Sequence, residues 1–455
     1  MANAVIRPMP RPPPVISAVR PPSRSGANVE RGGLTRSLTR GNLSNDQFPR
    51  RSPTIAVVTH PGELFDVQYR LTKMDEWPRH QVGGTFDVVA DGSPHWSDGY
   101  YFTMGDDTGE IAWFMGFRLH ANNDVLDAFT CISSRGRQHN IRWSRRLRPR
   151  IDDLDCGPFS VEIVEGLRTV RTRCAANIHG ITFDLLWEGF SPPYNEDRLI
   201  SIINGRLHSD RSNYDQCSLV TGWIGFDGRR VEVDGWTGVR DHSWGIGNNT
   251  GGPRSAAIAP PPPSEAPAPP GLRQWCVFRL PDRVVFWQFH HSAAGHYEKF
   301  ESRCMFPYED RRESFAYTQV THEATWVEVD GRPVRRLASA TISLTRPDGG
   351  IERYLVETIS DPVFLQGGGY FGGYGDGLGR GVYRGDDHSE GDVWDVSHPV
   401  RPVVPPASGA PSRMKLQRDA WAETWGRCTD LDDPSQTGTG HLECVVVGPY
   451  PTFDR

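Results

Sequence analysis

Apolar positions in this chain come in short runs broken by turn residues, the pattern of strands rather than helices. From Ile181 to Phe190 the alternation is regular: Ile181, Phe183, Leu185 and Trp187 share one face, and Thr182, Asp184 and Glu188 lie mostly on the other. With Thr169 to Ile178 before it and His179 and Gly180 between, this stretch predicts a hairpin. His95 to Phe102, a turn ending at Gly109, and Ile111 to Leu119 predict another. Ser218 to Phe226 and Arg230 to Trp236 flank the turn pair Asp227 and Gly228. Trp275 to Leu280 and Val284 to His291 flank Pro281 and Asp282. Further turns at Asp330 and Gly331, and at Asp348 to Gly350, border β-branched runs such as Ala340 to Leu344 and Tyr354 to Ile359. Helical spacing is best over Ser412 to Cys428, where Leu416, Ala420, Trp421 and Trp425 fall near a common face. Turn spacing of this kind predicts an all-β chain of antiparallel sheets, most simply two barrels or sandwiches in tandem.

Composition agrees. The 48 Gly and 37 Pro suit many strands joined by turns, and 14 Trp with 20 Phe suit an aromatic lining. Residues 1–54 hold nine Arg against two acids, a charge of +7, so a total of −6 leaves −13 for the rest. Prolines such as Pro8, Pro10, Pro12 and Pro13 deny this stretch a helix, and it reads as a disordered basic tail. An acidic body excludes nucleic acid as its main partner, whereas the tail allows peripheral contact with anionic membranes. No apolar run has the length of an integral membrane span, and the start has no secretory core segment. Eight cysteines without a C-x-x-C pair argue against a structural zinc site and for reduced thiols in the cytoplasm.

Arg135 to Arg150 contains seven Arg in sixteen residues, which reads as a solvated strand edge rather than a phosphate patch. Gly372 to Gly381 lacks dinucleotide spacing and reads as a sharply turning segment. His290, His291 and His296, with Glu298, invite a metal, but His290 and His291 face opposite sides of a strand and leave two ligands, so no metal is expected.

The densest chemistry lies between Val233 and Gly247, where Arg240, Asp241, His242, Ser243 and Trp244 sit among glycines. A carboxyl in an apolar pocket has its pKa raised and can donate a proton, and an adjacent imidazole can accept one. In a regular strand Asp241 and His242 face opposite sides, so they share a cavity only if the segment is bent or bulged. Equally, Arg240 and Asp241 could form a buried pair with Trp244 as a plug.

The run from Tyr214 through Asp227 and Gly228 to the motif Arg240 to Gly245 resembles a lipocalin-like family that includes carotenoid 1,2-hydratases, and more distantly the tandem-barrel Diels–Alderases and other cyclases. Trp96, Tyr100, Tyr101, Phe102 and Asp106 to Gly109 resemble its first-barrel signature, while Ser243 stands where hydratases tend to carry another polar residue. The resemblance implies two calycin-like antiparallel barrels with an apolar pocket in or between them, and no cofactor. The division is then a tail over 1–54, a first barrel over 55–212, and a second over 213–455 with a proline-rich insertion over 251–271.

The function expected is a cofactor-independent hydratase, lyase or cyclase acting on a hydrophobic isoprenoid- or polyketide-like small molecule. Asp241 would protonate an alkene, and His242 would orient water or remove a proton. Trp244, with Tyr100 or Tyr101, would line the cationic face, and Arg240, Trp96 and Trp236 would contact substrate. The alternative is a lipid- or terpenoid-binding protein with the same pocket and no chemistry.

Overall fold

The computed structural model describes residues 73–78, 89, 91–203, 206–247, 271–405, 414–416 and 421–453. The basic tail lies outside the described residues, as does the proline-rich insertion up to Gly271.

The strands are β1 (Trp96–Gly105), β2 (Ala112–His120), β3 (Val125–Ser134), β4 (Arg137–Arg146), β5 (Asp155–Cys156), β6 (Phe159–Glu165), β7 (Thr169–Cys174) and β8 (Thr182–Gly189). There follow β9 (Tyr194–Asn195), β10 (Leu199–Ile203), β11 (Arg206–Phe226), β12 (Arg229–Ile246), β13 (Gly271–Arg279), β14 (Val284–Ser292) and β15 (Tyr297–Met305). The last are β16 (Gln319–Val329), β17 (Arg332–Thr345), β18 (Ile351–Thr358), β19 (Val363–Phe364), β20 (Asp387–Asp395), β21 (Ala422–Asp430) and β22 (Thr437–Val447).

They form two antiparallel sheets: one of 13 strands, with the path β20-β4-β3-β2-β1-β12-β11-β8-β7-β6-β5 and with β9 and β10 paired to β11, and one of nine, with the path β15-β14-β13-β22-β21-β18-β17-β16 and with β19 paired to β21. Each curls until its two sides touch. His179, beyond β7, lies 3.1 Å from Ser389 Oγ on β20, and the Tyr297 hydroxyl of β15 lies 2.9 Å from His322 Nδ1 on β16. The fold is therefore all-β with two curled antiparallel sheets in tandem, as expected.

The expected hairpins are present, but sheet membership crosses the halves of the sequence. The division expected at 212/213 falls inside β11, which pairs with β12 and β8 in the first sheet. β20, far downstream, pairs with β4 at the first sheet's edge. Within Ser412 to Cys428 the described residues form no helix, and from Ala422 onward they belong to strand β21 (Ala422–Asp430), held between β18 and β22; residues 412–413 and 417–420 lie outside the described residues. Being covered on both faces, β21 carries apolar residues without strict alternation, and a short run of that kind mimics a helical stripe.

Alternation along the strands creates three apolar layers. Tyr100, Phe102 and Met104 of β1 face the first core with Trp113 and Trp187, while Tyr101 belongs to a separate cluster with Phe114, Phe129 and Trp425. In the second sheet Cys276, Phe278 and Trp287 face its own core, while Trp275, Val277 and Phe286 pack with Val239 and Cys217 of the first sheet. The third layer is thus a seam between the sheets, where β1 and β12 lie against β22. A Cβ on Gly105 would sit 2.5 Å from the Trp425 ring, so glycine there lets the sheets approach.

Of the seven arginines of 135–150, Arg142 and Arg145 are buried in the fold, while most of the others stay exposed in surface ion pairs. Arg142 pairs with Glu390 at 3.0 Å and Asp392 at 2.7 Å on β20, and Arg145 donates to the carbonyls of Asp155 and Asp153. The glycine-rich segment crosses the first sheet: Arg380 pairs with buried Asp127, whose other oxygen accepts from the Gly381 amide at 2.7 Å.

Candidate functional site

β12 pairs with β1 and β11 without a register shift across Thr237 to Ile246. Its side chains therefore alternate, and the structure does not bring Asp241 and His242 together. His242 lies on the first-barrel side, with Nε2 2.8 Å from Asp98 Oδ1, Nδ1 3.3 Å from the Tyr214 hydroxyl, and its ring 4.4 Å from that of Tyr100. Trp244 stands beside it at 5.6 Å. Arg240 is on the same side, but its partners are Glu76 and Gln216, so no Arg240–Asp241 pair exists. Glu76 also accepts from the Tyr214 hydroxyl at 2.9 Å and the Leu167 amide at 2.7 Å. Trp236 packs against the first core, and Trp96 clusters with Val89, Ala121 and Ile246. Six of the eight residues expected to carry chemistry thus belong to the first barrel's interior or its ends, in contacts that hold the fold.

Asp241 and Tyr101 are the two that reach the seam. In register, Asp241 stands between Tyr101 of β1 and Asp215 of β11. Among the described residues, Asp241 Oδ1 has no hydrogen-bond partner. Burial pushes its pKa up to about 6, against the opposing pull of Arg211 and Arg118. Arg118 is itself held by Ser243, with Nη2 2.6 Å from Oγ, and by Ser97.

Around Asp241 the seam gathers acids that the sequence reading did not single out. Asp215 finds no donor among the described residues. Its neighbour is the acceptor Glu196, so the two can bond only by sharing a proton. Burial and Glu196 hold Asp215 well above the usual carboxyl range. Glu196 itself stays low: burial pushes it up, but the Asp215 hydrogen bond and Lys299 outweigh this. Trp275 Nε1 donates to Glu196 at 2.9 Å, and Gln288 donates to Glu301 at 2.7 Å. Burial, with Glu196 nearby, raises Glu301 to about 7.

From the second sheet come Glu423 of β21 and His441 and Glu443 of β22. Tyr101 donates to Glu423 Oε2 at 2.5 Å, and burial raises Glu423 to about 7. The His441 ring packs at 4.6 Å from Trp275 and 5.6 Å from Phe114, and burial with Arg273 nearby lowers it to about 3, leaving it neutral. Arg273 pairs with Glu443. One sequence signal for these residues exists: His441 and Glu443, two apart in the otherwise apolar second half of β22 (Leu442, Cys444 to Val447), occupy positions where polar groups are rare. The histidines weighed as metal ligands are scattered, with His290 on Glu298 at 2.9 Å and His291 on Tyr450 at 3.0 Å.

The seam can therefore hold protons on carboxyls at near-neutral pH, beside aromatic faces and arginines that would steady an anion. Residues 71–453 match the family of unknown function DUF8625, so the chain belongs to that family. No curated protein matches the sequence. Among solved structures, a Nitrosomonas europaea protein assigned as AttH is 12% identical, with 77% of this chain and 92% of that one covered and a TM-score of 0.46. Kievitone hydratase from Nectria haematococca is 12% identical, with 83% and 98% covered and a TM-score of 0.36. CghA with Sch210972 is 11% identical, with 78% and 89% covered and a TM-score of 0.38. All three are distant likenesses; kinship with carotenoid hydratases in particular remains the resemblance described above.

Proposed function

We propose that this member of DUF8625 is an acid–base lyase or cyclase acting on a hydrophobic small molecule of isoprenoid or polyketide type, and that the seam is its active site. The observation that carries this reading is Asp241, a carboxyl raised to about 6 with one oxygen shielded and unpartnered among the described residues. A group poised near its own pKa can give a proton in one step and recover it in the next. Asp241 would protonate an alkene or enol of the substrate. Tyr101 and Trp275 would present aromatic faces to the developing cation. Water capture of that cation makes a hydratase, and capture by an internal nucleophile makes a cyclase. His242 has no direct part in this reading; from the opposite face it holds the strand that presents Asp241.

Deuterium labelling tests the proposal. Lipid and polyketide extracts are incubated in D2O with the wild type or Asp241→Asn, and products are read by mass spectrometry. Wild type is expected to install solvent deuterium on carbon, and the variant to lose this by about 10²-fold or more while retaining the ligand in native mass spectra. Retention of a small molecule by both proteins, without deuterium uptake by either, would favour the binding protein instead.

A further inference from the structure

Glu423, His441 and Glu443 form a compact group whose offered ligand atoms all lie within 4.8 Å of one another. His441 and Glu443 are two apart on β22 and so share a face, and Glu423 lies on the neighbouring β21, one residue before Thr424, which pairs with Leu442. All three are withdrawn from solvent, at 0% exposure for His441, 3% for Glu423 and 5% for Glu443. Among the described residues, neither ring nitrogen of His441 has a hydrogen-bond partner. A buried imidazole normally bonds through at least one nitrogen, because leaving both bare forfeits its solvation for nothing.

The geometry supplies a reason. His441 Nε2 lies 3.5 Å from Glu423 Oε2 without making a hydrogen bond. Two donors about 2.1 Å from a tetrahedral metal are about 3.4 Å apart, so this pair already has the spacing of a coordination edge. Glu443 completes the group with a carboxylate oxygen inside the same 4.8 Å spread. Tyr101 orients Glu423 through its hydroxyl, and Arg273 orients Glu443, the kind of outer support that metal-ligating carboxylates need. Two carboxylates and one imidazole suit a borderline divalent ion rather than calcium, which wants oxygen alone, or copper(I), which wants sulfur.

We propose that Glu423, His441 and Glu443 bind a divalent transition-metal ion, with zinc as the probe, in the seam between the sheets. The site stands apart from the acid–base reading: Asp241 is not a ligand, and metal binding does not require that Asp241 transfer protons. The sequence reading expected no metal because no local motif announces one; the ligands meet only when β21 and β22 pair.

Zinc calorimetry on the full-length chain, made without a histidine tag and stripped with EDTA, tests this. Wild type should take up one equivalent. Glu423→Gln and His441→Gln should each bind at least about a hundredfold more weakly, more than loss of an outer partner costs. X-ray absorption of zinc-loaded wild type should show one imidazole nitrogen among oxygen donors, a readout that needs no variant to fold. No zinc uptake, an equivalent that survives in both variants, or a zinc shell lacking that single imidazole would each overturn the assignment.

Discussion

A buried carboxyl that stays protonated couples the chemistry of a site to the stability of the fold, with a definite sign. Burial raises Asp241 to about 6 from an ordinary 3.8, so between these values the folded chain keeps the proton and the unfolded chain has lost it. Stabilisation from this group is complete below 3.8 and disappears as pH rises through about 6. Asp241→Asn keeps the neutral shape at every pH. It is expected to come close to wild-type stability near pH 4 and to exceed it by about 3 kcal/mol near pH 8, as read from urea melts. Were wild type the more stable protein near pH 8, Asp241 would be a satisfied carboxylate and its acid role would fail. At this scale the sequence was half informative. It singled out Asp241 and Tyr101, but it grouped them with Arg240, His242 and Trp244, because the motif is contiguous and a strand deals neighbours to opposite faces. Glu423 and Asp215 were not legible, and His441 only faintly, since Glu423 and His441 meet when β21 pairs with β22 and reach Tyr101 only across the seam, hundreds of positions away in the chain.

Among the elements, β20 carries a structural role that its length understates. It extends the first sheet from a position between strands of the second, and Arg142 fixes it through Glu390 and Asp392. Burial pushes Glu390 up, but His388 and Arg142 outweigh this and hold it at about 2, against an ordinary 4.5. Stability from that carboxylate is present above 4.5 and is lost as pH falls through about 2. Arg142→Met leaves two half-buried carboxylates without their cation and should cost about 2–4 kcal/mol near pH 7. The deficit should narrow as pH falls from about 5 towards 2, and amide exchange across Asp387–Asp395 should quicken. A pH-independent deficit would mean that Arg142 acts by packing rather than by charge. The sequence showed seven arginines and read a solvated edge. The edge is real, but β20 pairs with it through Glu390 and Asp392, and nothing local in the sequence says which strand an acidic segment will meet. Hairpins were the most legible elements, because turn residues and flanking apolar runs are adjacent. β21 was misread as helix because both its faces are covered, which erases the period-two signal.

Between the sheets, the whole molecule has a shared polar–aromatic layer and an exchanged strand, and together these bear on how it folds. The first sheet takes strands from both sides of the proline-rich insertion: β12 ends at Ile246 before it, and β20 lies after it. A chain built of two self-sufficient barrels would tolerate division at the insertion. Here, residues up to Ser255 would form a first sheet with its β4 edge bare, its Arg142 unpaired and its Tyr101 face exposed. Residues from Ala256 onward would expose Trp275, Val277 and Phe286, with β20 lacking a partner strand. Unpaired edges and uncovered apolar faces drive aggregation. Expressed as two polypeptides split between Ser255 and Ala256, the halves should be soluble only together, co-eluting as one species on gel filtration and melting in one transition. Each alone should aggregate or remain unfolded by circular dichroism. Two soluble, independently melting halves would show that the seam and β20 are dispensable contacts between barrels. That result would also weaken any active site placed between the sheets, because a seam that need not form cannot hold Asp241 and Tyr101 in fixed register with Trp275 and Glu423.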